Sequence, residues 1–172
     1  RDKMIDGESK EFVFDLVVYG SSDEYTTLGS IFSEDLAQIG IKMTVKAMEW
    51  SLLLKKIGDR EFDAVTLAWV SGPDVDFNQI WHSSQADTPK SSNHVGFKNA
   101  KADALIAEMH TTFDFRERVE LAHRFHQLIH EEAPYTFFYT RKRPAFWQKE
   151  LKNVWFSRTR PYLKAHAWYL SQ

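Results

Sequence analysis

The 172-residue chain contains no cysteine, which excludes disulfide bonds, thiolate metal sites and cysteine nucleophiles. No apolar run approaches the roughly 20 residues that a membrane-spanning helix needs. No signal peptide opens the sequence, so we expect a mature, cytoplasmic or fragmentary protein. The net charge of −2 gives no indication of nucleic-acid binding. The chain also lacks a Gly-x-Ser-x-Gly elbow, a phosphate-binding glycine loop and a dinucleotide fingerprint, so no enzymatic motif is present.

What the chain does contain is a high share of aromatic residues, 15%, within an ordinary 43% of hydrophobic residues. This length and composition predict one soluble domain with a sizeable core. The first half alternates strand and helix patterns, with Gly40 ending the first helix and Gly58 closing the second. Strands are predicted at 12–19, 41–47 and 62–69, and helices from Ser22 or Asp23 to about Gln38 and over 50–57.

This alternation predicts an α/β fold. The strands at 12–19 and 41–47 should be parallel neighbours joined by a right-handed crossover. The second half predicts a long irregular region at 70–99 with one short helix near 77–81. Two helices should follow, the second capped by Asp114 and stopped by Pro134. A further strand is predicted at 135–140, and residues 1–11 are predicted to be a loose lead-in.

Residues 61–83 are the most informative stretch, because a buried strand ends there on Trp69 and continues into an acidic turn. In an open α/β sheet, ligands bind beyond the carboxyl ends of the strands. Trp69 would supply a flat apolar wall, and Asp74 or Asp76 would pair with a cation such as a peptide α-amino group. The candidate ligand-binding residues of this stretch are Trp69, Ser71, Gly72, Asp74, Asp76 and Trp81.

Each of these residues also has a purely structural interpretation. Most buried tryptophans serve only packing, so Trp69 and Trp81 could simply belong to the core. The loop at 91–97 could be an ordinary polar turn, or Asn93 could hold the polar backbone of a ligand. The spacing of Asp74 and Asp76 suggests calcium, but the glycine and glutamate of a calcium loop are absent.

Metal and catalytic chemistry find little support in the sequence. His123, His126 and His130 share one arc of a predicted helix, yet they lack the His-Glu-x-x-His form, and a solvated helix flank explains them better. A hydrolase that uses Asp74, Asp76 and His82 stays an alternative, although no spacing ties these residues to a nucleophile. We therefore expect no catalytic residue, no metal and no cofactor.

Five segments, taken in order, resemble the family 5 extracellular solute-binding proteins, which bind dipeptides, oligopeptides or nickel for ABC importers. The segments are LAQIGIKMTVKAMEW (36–50), EFDAVTLAWVSGPDVDF (61–77), WHSSQ (81–85), SSNHVGFKNAKADALIAE (91–108) and RERVELAHRFHQLIHEEAPYTFFY (116–139). Each segment is weak alone, and the ordered set is specific. Family members are about three times this long, with two lobes that close over a ligand.

The resemblance implies that the chain is a C-terminal lobe of the type II periplasmic-binding-protein class, with a mixed, mostly parallel sheet flanked by helices. Residues 1–148 would form this lobe, and 149–172 would return to a first lobe. It further implies a periplasmic or lipid-anchored location, delivery to a membrane permease, and no catalysis. It places Trp69, Asp74 or Asp76, and the loop at Ser92 and Asn93 near the interlobe cleft.

The ligand itself is not determined by the resemblance. The family's usual Asp-Pro order becomes Gly-Pro-Asp-Val-Asp here, which leaves open whether Asp74 or Asp76 meets the ligand. Aromatic walls and an acid favour an oligopeptide, while nickel complexes, haem, opines and sugars stay possible. A ligand-sensing lobe of a transcriptional regulator is the alternative in which the fold is kept and the function differs.

Overall fold

The computed structural model describes residues 2–5, 8–70, 76–140, 142, 144–157 and 162–171, with side chains from Glu11 onward. The strands are β1 (Asp2–Ile5), β2 (Glu8–Glu11), β3 (Val13–Tyr19), β4 (Lys42–Met48), β5 (Ala64–Val65), β6 (Leu151–Lys152) and β7 (Tyr169–Leu170). The α-helices are α1 (Asp23–Gln38), α2 (Trp50–Asp59), α3 (Asn78–Trp81), α4 (Ala100–Thr111) and α5 (Phe115–Glu132), with short 3₁₀ helices at Ser83–Gln85 and Ala165–Ala167.

The central sheet has three parallel strands in the order β4-β3-β5. Strand β3 pairs along its whole length with β4, from Val13 opposite Lys42 to Tyr19 opposite Met48. The predicted parallel neighbours are therefore confirmed. All three carboxyl ends lie at one edge, which is where an α/β sheet offers a ligand site.

Helices cover both faces of this sheet. Gly29 brings α1 close to one face, because a β-carbon built there would lie 3.0 Å from a methyl of Val45. On the other face, Leu53 and Ile57 of α2 are buried against Val17 of β3. Successive β3 side chains thus point to opposite helices, as the period of two in a strand requires.

The predicted helix ends are mostly confirmed. Ser22 caps α1 and Asp114 caps α5, each accepting a backbone N–H of the first turn, and Gly40 follows α1 with a φ of 75°. The predicted end of α2 at Gly58 is wrong. The helix continues to Asp59, and Arg60 takes the left-handed conformation at φ 57°, where its N–H reaches the carbonyl of Ile57. Arg60, and not a glycine, takes the left-handed position after the helix, so the glycine at 58 predicted the wrong end.

A second core lies between α3, α4 and α5. Phe125 and Ile106 are each 1% exposed, and Trp81 is 7% exposed beside them. Leu121 and Ile129 are buried, and Ala122 and Leu128 are partly buried against the cluster. The apolar face of α5 therefore packs against α3 and α4.

Three predictions of secondary structure are wrong. The strand predicted at 62–69 pairs only at Ala64 and Val65, because the chain leaves the sheet after Thr66. Residues 135–140 form no strand; Phe138 packs on Phe32 of α1 instead, with ring centroids 5.1 Å apart. An aromatic run has strand propensity, but propensity supplies no partner strand. The predicted loose lead-in contains the antiparallel hairpin β1-β2.

The last described segment contains the antiparallel pair β6-β7 and an isolated bridge between Phe156 and Leu163. Large apolar side chains in and before this segment are exposed, among them Phe146 at 92% and Leu170 at 68%. None of the described helices is both long and apolar enough to cross a membrane.

Candidate functional site

An open groove of about 560 Å³ lies at the carboxyl end of β5, between the extended chain that follows this strand and helix α2. Leu67, Ala68 and Trp69 form one wall. Helix α2 forms the second wall, and Lys90 and His94 of the long loop close one side. The groove therefore lies where the sequence predicts a ligand site, beyond the end of the third strand of the sheet.

Trp69 is the central side chain of this groove. It is 45% exposed, and its ring lies nearly parallel to that of His94, with an interplanar angle of 10° and centroids 5.8 Å apart. Half-exposed aromatic surface that is held by a second ring is suited to packing against a ligand. Trp69 is thus outside the core, against the purely structural interpretation of this residue.

Tyr135 lies behind Trp69, at the start of the segment that follows α5. Burial raises the pKa of Tyr135, and the neighbouring Trp69 side chain acts in the opposite direction. The Trp69 side chain lies near the Tyr135 hydroxyl, and no described residue meets this hydroxyl with hydrogen-bond geometry. The Tyr135 ring also packs on Trp81, with centroids 4.6 Å apart.

The surroundings of His94 favour its neutral form. Burial lowers the pKa of its imidazole below the ordinary 6.5, and the positive charge of Arg60 lowers it further. A neutral imidazole brings no charge to the groove and stacks on Trp69 as a flat polar surface. The positive charge that acts on His94 belongs to Arg60.

Asn93 is buried completely and belongs to the framework of the loop. Its side-chain oxygen accepts the N–H of Phe97 at 2.8 Å, and its amide nitrogen donates to the carbonyl of Phe97 at 2.9 Å. Arg60 donates to the Asn93 carbonyl at 3.0 Å, which ties the loop to the end of α2. Direct contact of this amide with a ligand finds no support in this arrangement, and Asn93 instead positions its neighbour His94.

Trp81 likewise serves packing. It is 7% exposed and lies edge-on to Phe97, with centroids 5.7 Å apart. The predicted ligand contact of Trp81 finds no support here, because the short helix α3 turns its ring into the core between α4 and α5. Of the two tryptophans in the stretch, only Trp69 faces solvent.

The acidic turn is described only at its end. Ser71, Gly72 and Asp74 lie outside the described residues, so their predicted roles stay predictions. Asp76 is described: its Oδ1 accepts the N–H of Asn78 at 2.8 Å and lies 4.0 Å from Nε2 of His110. The Asp76 side chain remains 62% exposed, so it can still meet a cation from solvent.

His82 lies in a local Ser-His-Asp arrangement that the structure explains as a helix cap. Its Nδ1 accepts the backbone N–H of Ser84 at 3.1 Å and lies 2.9 Å from the Ser84 hydroxyl. Its Nε2 is 3.9 Å from Asp103, whose Oδ1 already accepts the N–H of Ser83 at 2.8 Å. A general base needs a free lone pair and an oriented partner. Asp76 lies near His110 and not near His82, so the described residues do not assemble the alternative hydrolase, and Asp74 lies outside them.

The three helical histidines do not form a metal site with other described residues. No group of three or more histidine or acidic side chains within the described ranges is arranged to hold a metal ion. His126 lies edge-on to Phe77, with centroids 5.9 Å apart. Packing on the flank of α5 accounts for this histidine.

Sequence reasoning missed the groove residues that come from outside the 61–83 stretch. Lys55 and Lys90 line the groove, and His94 stacks on Trp69. Of these residues, only His94 lies in the loop at 91–97, where the sequence suggested its neighbour Asn93 as the ligand contact. The spacing of residues in the sequence does not predict that Lys55 and Lys90 lie at one groove, because their proximity depends on how the long loop folds.

No family model matches the chain. The oligopeptide-binding protein AppA of Bacillus subtilis is 27% identical over 173 residues, which covers 99% of this chain and 32% of AppA. The dipeptide-binding protein of Escherichia coli is 26% identical over 110 residues, which covers 62% of this chain and 20% of that protein.

Two solved structures that superpose on this chain are also of peptide-binding proteins. AppA in complex with a nonapeptide superposes with a TM-score of 0.76 at 26% identity, over 97% of this chain and 33% of AppA. The ABC transporter-associated periplasmic binding protein DppA of Helicobacter pylori, in complex with the peptide STSA, superposes with a TM-score of 0.63 at 23% identity, over 73% of this chain and 25% of DppA. The chain therefore spans a third or less of these relatives.

The predicted resemblance and the predicted α/β fold are both confirmed. The homologues are oligopeptide- and dipeptide-binding proteins, and this chain has the fold of one part of them. The relatives named here are binding proteins and not enzymes.

Proposed function

We propose that this chain is one lobe of a solute-binding protein that captures peptides and delivers them to the permease of an ABC importer. The observation that carries the proposal is the match to an oligopeptide-binding protein over 99% of the chain. The structural neighbour with a bound nonapeptide supports the same ligand class. The structural neighbour DppA is a periplasmic, ABC transporter-associated protein, which supports a location outside the cytoplasm. Within that location, the protein is either free in the periplasm or attached to a membrane by a lipid anchor.

In this proposal, the groove beside Trp69 is part of the ligand-facing wall of the lobe. Trp69 packs against the peptide with its exposed face, while His94 supports the other side of the ring. Asp74 or Asp76 pairs with the peptide α-amino group, since a carboxylate and an ammonium form a charge-assisted hydrogen bond. The exposure of Asp76 is compatible with this role, and the assignment between the two acids stays a prediction.

We further propose that residues 1–148 form this lobe and that 149–172 pack on a first lobe carried by a longer protein. The exposed apolar side chains at Trp155, Tyr169 and Leu170 support the proposal, because such surface normally lies against a partner. Closure of two lobes over the peptide would bury it from both sides, so a single lobe loses most of the binding free energy.

Isothermal titration calorimetry tests this function on two proteins, the 172-residue chain and the protein encoded by its full reading frame. Peptides of four to nine residues are suitable probes, spanning the lengths bound by the neighbours. We expect dissociation constants weaker than about 1 mM for the chain alone and near the micromolar range for the full protein. Micromolar binding by the isolated chain, or no binding by the full protein, would contradict the proposal.

Substitution of two almost equally exposed tryptophans, Trp69 and Trp50, tests whether the groove is the ligand-facing wall. Trp69→Ala in the full protein should weaken peptide binding about tenfold or more, because it removes an aromatic anchor. Trp50→Ala is the control, since Trp50 is 46% exposed, almost the same as Trp69 at 45%, and does not line the groove. Equal effects of the two substitutions would argue against the groove as the ligand wall.

A further inference from the structure

The groove beside Trp69 carries more positive than negative charge. Lys55 reaches it from α2 and Lys90 from the long loop, and Asp59 is the acid among the described lining residues. Neither lysine forms an ion pair with a described residue. Lys56, the neighbour of Lys55 in the sequence, is in contrast paired with Glu61 at 3.8 Å. Both lining cations are therefore available to a ligand.

The backbone and stem of Lys90 are held in a defined position. Its φ of 58° lies in the left-handed region, which residues other than glycine and asparagine adopt only when their surroundings enforce it. Its Cγ lies 3.9 Å from the position that a β-carbon on Gly58 would take. The aliphatic stem of Lys90 thus lies beside the bare backbone of α2 at Gly58, where Lys90 lines the groove.

Two further features make the groove suited to an anion on an apolar stem. Arg60 donates to the Asn93 carbonyl at the base of the loop and adds a third positive charge close to His94. Leu54, Ile57 and Leu67 contribute apolar side chains to the lining, so methylene groups can pack there. Glutamate combines these properties, with two methylenes and a terminal carboxylate.

We propose that this groove accepts an acidic side chain of the bound peptide, with Lys55 and Lys90 paired to its carboxylate and its methylenes against Trp69. The inference rests on the proposed function, because it requires that peptides reach this wall. It adds a preference for acidic residues in the peptide sequence, which peptide capture alone does not imply. Partly exposed ion pairs contribute modestly, so the preference is a matter of severalfold.

Nuclear magnetic resonance on the ¹⁵N-labelled 172-residue chain tests the preference, since millimolar binding is within reach of the method. The chain has six tryptophans, and the indole N–H signal of Trp69 reports on the groove. Three peptides are titrated to about 20 mM at low salt: Ala-Ala-Glu-Ala-amide, Ala-Ala-Gln-Ala-amide, and Ala-Ala-Gln-Ala with a free terminal carboxylate. We expect the glutamate peptide to bind about threefold to tenfold more tightly than either glutamine peptide.

The outcomes separate the inference from the function on which it rests. Equal affinities of the glutamate and glutamine amides overturn the acidic preference and leave peptide capture intact. Tighter binding of the free-carboxylate peptide alone overturns the assignment to a side chain. If no peptide moves the Trp69 signal, both the acidic preference and this wall of the proposed peptide site are overturned.

Substitutions locate the preference. The double substitution Lys55→Gln and Lys90→Gln keeps both stems and removes both charges, so the ratio between glutamate and glutamine peptides should fall to about one. Lys101→Gln is the matched control, because this exposed lysine lies on α4 and does not line the groove. A ratio that survives the double substitution, or is lost in the control, overturns the role of the two lysines.

Discussion

Thr66 shows how a single hydroxyl bears on the stability of the lobe. It follows β5 directly, is 7% exposed, and its Oγ1 meets no hydrogen-bond partner among the described residues. Burying a hydroxyl without a partner costs more than burying a methyl group of the same size. The backbone N–H of Thr66 does have a partner, because it donates to the Val17 carbonyl at 3.0 Å.

Thr66→Val is therefore expected to stabilise the chain by about 1 kcal/mol, because it replaces the unpartnered hydroxyl with a methyl group of equal volume. Urea unfolding followed by circular dichroism measures the change. Thr44→Val on the exposed side of β4 is the control and should alter the free energy of unfolding by less than about 0.5 kcal/mol. Loss of stability in Thr66→Val would mean that the hydroxyl has a partner outside the described residues.

The residues of the site were predictable only in part. Trp69 was identified because it ends a strand and precedes a turn, a relation that the sequence displays directly. Trp81 and Asn93 were also candidate ligand contacts, but both side chains are buried. Residue type and neighbourhood in the chain are visible in a sequence, whereas the direction of a side chain depends on the elements packed around it.

Two glycines inside helices differ in the space around them. Gly29 brings α1 onto β4, where the two methyls of Val45 would lie 3.0 and 3.2 Å from an added β-carbon. Gly58 in α2 has only the Lys90 stem nearby, at 3.9 Å. Alanine favours a helix by about 1 kcal/mol over glycine, so the difference in packing decides the sign of each substitution.

Gly58→Ala should stabilise the chain by about 1 kcal/mol, since it gains helix propensity without a clash. Gly29→Ala should destabilise it by about 1 kcal/mol, because the cost of overpacking against β-branched Val45 exceeds the gain in propensity. Urea unfolding of the two variants beside the wild-type chain measures both values. A stabilising effect of Gly29→Ala would contradict the close approach of α1 to the sheet, and a destabilising effect of Gly58→Ala would contradict the open space beside α2.

The elements themselves were largely predictable, with exceptions that share one cause. The helices follow from apolar periodicity and caps such as Ser22 and Asp114, which are local features. The strand predicted at 62–69 is formed only at Ala64 and Val65. The strand predicted at 135–140 does not form. A strand exists only when another strand hydrogen-bonds to it, and a partner distant in sequence cannot be inferred from propensity.

At the scale of the whole molecule, many of the large apolar side chains in the described C-terminal residues are exposed. Phe146 is 92% exposed, Tyr169 60% and Leu170 68%. Phe113, in the turn between α4 and α5, is 94% exposed but lies outside this segment. An apolar surface of several neighbouring side chains favours association, whereas a single exposed ring is common in soluble proteins.

We expect the isolated chain to self-associate as its concentration rises, because this surface lacks the first lobe that we propose as its partner. Multi-angle light scattering over a concentration series measures the mass. The double substitution Phe146→Ser and Leu170→Ser should reduce association, and Phe113→Ser, the control, should leave it unchanged. A strictly monomeric chain at high concentration would count against the missing partner.

By itself, the sequence determined the class of fold, the helices and the resemblance to peptide-binding proteins, and it offered Trp69 as a candidate ligand contact. These features follow from local periodicity, from helix caps and from the order of motifs along the chain. Only the tertiary structure decided which side chains share the groove. Lys55, Lys90 and His94 meet Trp69 because α2, the long loop and the end of β5 converge at one edge of the sheet. That convergence depends on the packing of segments far apart in the chain, which no local pattern encodes.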